Sequence, residues 1–109
     1  MKSSNKRLNS RAHKDWRASV LERDKGCIVC GKTPSEGIIA SHHLIPACKK
    51  YSEWEYDIDN GVMLCASHHI WGIMSAHKHP FWFVDWFKRN RPLQYSRLKL
   101  RLARIEDEV

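Results

Sequence analysis

The residues best suited to chemistry in this chain are cysteines and histidines at short, repeated spacings. Cys27-Ile28-Val29-Cys30 and Cys65-Ala66-Ser67-His68 form two pairs, each with a two-residue gap, and 34 residues separate them. A gap of two lets both side chains of a pair reach one ion from a turn or a helix start, and four such ligands satisfy tetrahedral zinc. Gly31, directly after the first pair, permits the tight turn such a knuckle needs. The remaining cysteine, Cys48, follows Pro46 and has no partner at ligand spacing. It reads as a buried thiol, with replacement of His68 as fourth ligand as the alternative. Disulfides would need an oxidising compartment. The N-terminal stretch MKSSNKRLNSRAHK lacks the apolar segment of a secretory signal, so a cytoplasmic location is expected.

A second set is histidine only. His42 and His43 are adjacent in an apolar stretch, and His69 directly follows His68. Neighbouring strand residues point to opposite faces, so one of the two can bind a metal while the other faces a substrate. On a helix, His69 is turned by about 100° from His68 and points away from the first ion, toward a second site. Hydrolysis of a phosphodiester needs a base for water, a cation for the charge on phosphorus, and stabilisation of the leaving 3′ oxygen. A histidine with its ordinary pKa near 6.5 is a suitable base, and one divalent metal can meet the other two needs.

Several elements must position these groups. Asp15 is placed to cap a helix running to about Asp24, with Gly26 just past its end and Trp16, Val20 and Leu21 as its apolar stripe. Ile38 to Ile45 reads as a strand broken by Pro46, and Gly61 to Leu64 as a second short strand. Residues 47–60 look irregular. A helix is expected from about Ala66, carrying His68 and His69. On such a helix, unbroken, His77 would lie roughly 12 Å beyond His69, within reach of the same ion only if the helix ends or bends first. His79 reads as a turn residue before Pro80, which opens a further helix ended by Pro92. In that helix, Trp82 and Trp86, and Phe83 and Phe87, are spaced to build a core face. A last helix is expected from about Leu93 to Asp107, with Leu98, Leu102 and Ile105 on one side and Arg97, Arg101 and Arg104 on another.

Composition points the same way. The 109 residues carry a net charge of +7. Residues 1–25 hold eight Lys or Arg against three acids, residues 81–109 hold seven against four, and the middle is nearly neutral. Basic flanks around a neutral centre suit a core gripped to a polyanion such as DNA. No apolar run approaches the roughly 20 residues of a membrane span, so no membrane partner is expected.

Taken in order, Cys27-x2-Cys30, Ser41-His42-His43-Leu44-Ile45-Pro46, Asp59-Asn60-Gly61-Val62-Met63-Leu64-Cys65 and Cys65-x2-His68-His69 resemble the HNH endonuclease family. The resemblance spans about residues 16–79. It implies an α+β fold: a ββα-metal (HNH, His-Me finger) core with a zinc knuckle and flanking α-helices. It divides the chain into a basic flexible arm, 1–14, and a single nuclease domain, 15–109, with the core at 16–79 and a helical extension at 80–109. The implied activity is metal-dependent hydrolysis of DNA phosphodiester bonds, by nicking or double-strand cleavage, leaving 5′-phosphate and 3′-hydroxyl ends.

The resemblance also implies roles. His43 is the general base and Asn60 holds the loop that orients it. His42 and His69 bind the catalytic metal, and Cys27, Cys30, Cys65 and His68 bind the structural zinc. Two departures stand out. Many relatives have Asp where this chain has His42. Relatives with His-His often add a ligand one turn after the last histidine, where this chain has Ile73. His77 is the candidate substitute. An imidazole-rich site binds Mg2+ less well than one with a carboxylate, which favours Mn2+, Ni2+ or Zn2+. Double-strand cleavage would call for a dimer, although no self-association motif is legible. The small size fits phage or restriction-type settings. The alternative is a zinc-stabilised nucleic-acid-binding module without catalysis, which would have no need to keep His42, Asn60 and His69 together.

Overall fold

The computed structural model describes residues 2–46 and 49–108, with side chains described over 11–46 and 51–104. The chain falls into two compact units, 1–65 and 66–109.

In the first unit, helix α1 (Lys2–Asp24) is followed by strand β1 (Ile39–His43), two short 3-10 turns (Lys49–Trp54 and Ile58–Asn60) and strand β2 (Gly61–Cys65). The helix does not begin at Asp15. That residue lies inside α1, exposed, and residues 2–14 of the segment expected as an arm form the front of the same helix. The expected stripe is nevertheless real: Trp16 and Val20 are buried. α1 ends with Lys25 in the left-handed region at φ 68°, its N–H donating to the Leu21 carbonyl at 2.7 Å. The residue past the helix end that takes this conformation is therefore Lys25, not Gly26.

β1 and β2 pair antiparallel, with Ile39 opposite Cys65, Ser41 opposite Met63 and His43 opposite Gly61. All five β2 residues are buried. Its second edge is covered by the end of α1 and the segment that follows. The Asp24 carboxylate accepts from Met63 N–H at 3.0 Å, Arg23 donates to the Gly61 carbonyl at 2.5 Å, and Ile28 N–H donates to the Met63 carbonyl at 3.0 Å. A bare strand edge would expose these backbone groups to pairing with another chain. Arg17 donates to the Ile39 carbonyl at 3.0 Å, so α1 is also tied to β1. β1 is shorter than the expected 38–45, because Leu44 and Ile45 bend away toward Pro46 and Ile45 bonds to a side chain instead. Cys48 lies outside the described residues.

In the second unit, the helix expected from Ala66 is only a five-residue π-helical turn, Ser67–Trp71. Its closing bond runs from Gly72 N–H to the Ser67 carbonyl at 2.8 Å. Two longer helices follow, α2 (Pro80–Asn90) and α3 (Pro92–Glu108), each opened by a proline. His79 caps α2, its Nδ1 accepting from Trp82 N–H at 3.2 Å. Phe83 and Phe87 stack at 6.3 Å between centroids and are both buried, as are Gln94 and Leu98 of α3. Phe87 meets Tyr95 edge-on, and Lys88 lies over the Tyr95 ring at 5.7 Å. No helix among the described residues is long and apolar enough to cross a membrane.

The α2–α3 unit rests on this aromatic face. Phe83→Ala is expected to cost about 3–5 kcal/mol in urea unfolding, while Leu100→Ala, at an exposed position, stays within about 0.5 kcal/mol of the parent.

Candidate metal and histidine site

The first pair of cysteines sits in a turn that folds back on itself. Cys27 N–H donates to the Lys32 carbonyl at 2.9 Å and Gly31 N–H to the Cys27 carbonyl at 2.8 Å. Gly31 adopts φ 80°, a left-handed conformation that costs a residue with a Cβ and costs glycine little. The closing half of the set comes from the end of β2 and the turn after it. Cys27, Cys30, Cys65 and His68 each offer a ligand atom, and these atoms all lie within 4.8 Å of one another.

The donor set and spacing fit zinc. Cys30 Sγ and Cys65 Sγ are 3.7 Å apart. Two thiolates on a tetrahedral zinc at 2.3 Å would be about 3.8 Å apart, whereas a disulfide holds its sulfurs at about 2.05 Å. The thiols are also prepared differently. Burial pushes the Cys27 thiol up, but backbone N–H groups of Cys65, Cys30 and Val29 outweigh it and hold Cys27 below the ordinary cysteine value. Burial raises Cys30, and the neighbouring Cys27 and Cys65 raise it further, against a lowering bond from Lys32 N–H. Three sulfurs so close cannot all become thiolates without a cation among them. This Cys3His group could hold a metal ion such as zinc.

The histidines expected to form a second site are also drawn together. After the turn that carries His68 and His69, the chain doubles back. Ala76 N–H donates to the His68 carbonyl at 2.8 Å and His77 N–H to the His69 carbonyl at 3.0 Å. Buried Ser75 sits inside this loop, its hydroxyl oxygen accepting from Lys78 N–H at 3.2 Å. His77 Nε2 thus lies 3.1 Å from His69 Nε2, with the rings edge-on. The early end of the helix at Trp71 is what makes this possible. Ile73 is exposed in the loop, 84% accessible, and takes no part. Two imidazole nitrogens at adjacent positions around one ion at 2.1 Å would be about 3.0–3.4 Å apart. His42, the remaining candidate ligand, lies on β1 in the first unit. Burial, and then electrostatic interaction with His77, shift the His69 imidazole below its ordinary value, toward the neutral form.

His43 is treated quite differently. Its Nε2 lies 2.7 Å from the Glu55 carbonyl. A carbonyl only accepts, so Nε2 carries the proton, and in the neutral ring Nδ1 is left bare. The segment presenting that carbonyl is fastened by Asn60, whose side chain is fully buried. Its Oδ1 accepts from Ile45 N–H at 2.6 Å, and its Nδ2 donates to the carbonyls of Ile45 at 3.1 Å and Trp54 at 2.9 Å. These three bonds tie Asn60 to the backbone at Ile45 and Trp54. Sequence reasoning assigned Trp16 only to the core, yet its indole stacks on the His43 ring at 4.2 Å and 10°. The exposed His13 lies 6.4 Å from the His43 ring centroid and 5.5 Å from that of Trp16.

Comparison of the chain with family models, with curated proteins and with solved structures gives no match. The residues themselves therefore carry the functional argument. Replacing Cys27 by Ser should remove the metal and lower the melting temperature together, by roughly 10 °C or more, as read by metal analysis and calorimetry. Metal lost with no change in melting would mean that the Cys3His group does not support the fold.

Proposed function

We propose that this chain is a metal-dependent endonuclease of the HNH type that hydrolyses DNA phosphodiester bonds. The observation that carries this reading is the state of His43. Its Nε2 is committed to the Glu55 carbonyl, which leaves Nδ1 as a preset proton acceptor. A ring with one nitrogen donating and the other bare is the form a general base requires.

Other residues take complementary parts. His42, His69 and His77 would hold the catalytic ion. A divalent ion bound there supplies a Lewis acid for the phosphate and neutralises charge on the leaving 3′ oxygen. His43 Nδ1 takes the proton from water as the water oxygen bonds to phosphorus and the P–O3′ bond breaks. The leaving 3′ oxygen takes a proton from solvent water, so the products carry 5′-phosphate and 3′-hydroxyl ends. Three imidazoles without a carboxylate favour Mn2+, Ni2+ or Zn2+ over Mg2+. The Cys3His group would carry a separate structural zinc. The net charge of +7, weighted to both ends of the chain, supports DNA as the substrate, and α3 adds exposed Arg97 and Arg104.

His43→Ala is expected to slow nicking of supercoiled plasmid by about 10²-fold or more, with zinc content and DNA binding retained. A variant that cuts as fast as the parent would remove His43 from the reaction.

A further inference from the structure

The contacts of His43 with the Glu55 carbonyl fix one atom of its ring but leave the plane free to swing about that bond. A second contact fixes the plane. The Trp16 indole lies against the imidazole at 4.2 Å between centroids and only 10° from parallel. Trp16 is itself held at both ends. It is 3% exposed, and its Nε1 donates to the Asp57 carbonyl at 2.8 Å. Glu55 and Asp57 belong to the same short stretch, so ring and backing plate are referenced to one piece of backbone.

The strand register explains how an indole comes to be there. His43 pairs with Gly61 across the sheet, and side chains of paired residues share a face. Gly61 supplies none, and the space it leaves holds Trp16. A Cβ at position 61 would stand 2.4 Å from Trp16 Cζ2 and 2.9 Å from both Trp16 Cε2 and Val20 Cγ2. Real Cβ contacts are not this short, and Trp16 has no loose end with which to yield. The Gly61 φ is −149°, an extended value open to any residue, so the glycine is required for room and not for backbone conformation.

We infer that Trp16 is a positioning residue for His43: seated in the gap left by Gly61, it holds the imidazole plane so that bare Nδ1 faces the substrate side. This rests on the reading of His43 as the base, but the placement of the ring can be measured without DNA. A stacked indole shields the protons of the ring above it. The His43 carbon-bound protons of the zinc-loaded parent should therefore resonate upfield of ordinary histidine protons. Long-range proton–nitrogen NMR should show a single tautomer with hydrogen on Nε2.

In Trp16→Leu, which keeps an apolar side chain and loses the flat face, the upfield shift should fade while the tautomer, set by the Glu55 carbonyl, is kept. kcat for plasmid nicking should fall by about tenfold or more with little change in KM. Trp16→Phe, which restores a flat ring, should recover most of each. Ordinary His43 shifts in the parent would overturn the inference, and they can be read even if Trp16→Leu does not fold. So would a folded Trp16→Leu with unchanged kcat. If the shifts and tautomer behave as stated while the parent cuts no DNA with any ion, Trp16 still sets the ring, and it is the nuclease reading that fails.

Discussion

One buried amide fixes the geometry on which the candidate site depends. Asn60 has no contact with solvent, and its side chain makes three hydrogen bonds to the backbone at Ile45 and Trp54. A buried polar group left without a partner costs about 1–3 kcal/mol, so the segments that satisfy Asn60 cannot drift from it. One of them follows β1 and the other precedes the Glu55 carbonyl. The amide therefore sets where β1 ends and where the hydrogen-bond acceptor for His43 lies. A hydrophobic residue of similar size could fill the space but could not set the register of three backbone groups.

β2 carries this constraint along the chain. It begins at Gly61, next to Asn60, and ends at Cys65. Five buried residues thus connect the loop staple to the metal knuckle. The strand is short and lies in a sheet of two, which alone would be marginal in water. Its stability comes from covering both edges: β1 pairs on one side, and Arg23, Asp24 and Ile28 bond to it on the other. The same arrangement gives the adjacent histidines their separate surroundings. His43 shares a face with Gly61 and meets Trp16, while His42 is paired with Val62 and points the other way.

Much of this is legible in the order of residues. Two ligand pairs of fixed spacing, Val and Leu around Met63, and prolines at 80 and 92 lead to the knuckle, to β2 and to the last two helices. Three features are not legible, each for a physical reason. α1 extends back to Lys2 through a polar stretch with no apolar stripe, so periodicity has nothing to mark before Trp16. The helix expected after Cys65 stops at Trp71, because Gly72 closes the turn on the Ser67 carbonyl and the loop around Ser75 returns the chain. That local choice brings His77 back to His69, where an unbroken helix would have carried it away. Finally, the Trp16–His43 stack joins residues 27 positions apart, and only the missing side chain at Gly61 hints at it.

The central proposal is that His43 serves as the base in metal-dependent hydrolysis of DNA phosphodiester bonds. Its most direct test is supercoiled plasmid incubated with zinc-loaded protein in chelator, then with Mn2+, Ni2+ or Mg2+ restored, followed by end analysis of the products. The account predicts no conversion in chelator and nicked or linear DNA on adding Mn2+ or Ni2+, with ends that a ligase can rejoin because they carry 5′-phosphate and 3′-hydroxyl. DNA that is bound but left supercoiled with every ion would contradict it, and would identify the chain as a metal-stabilised DNA-binding module.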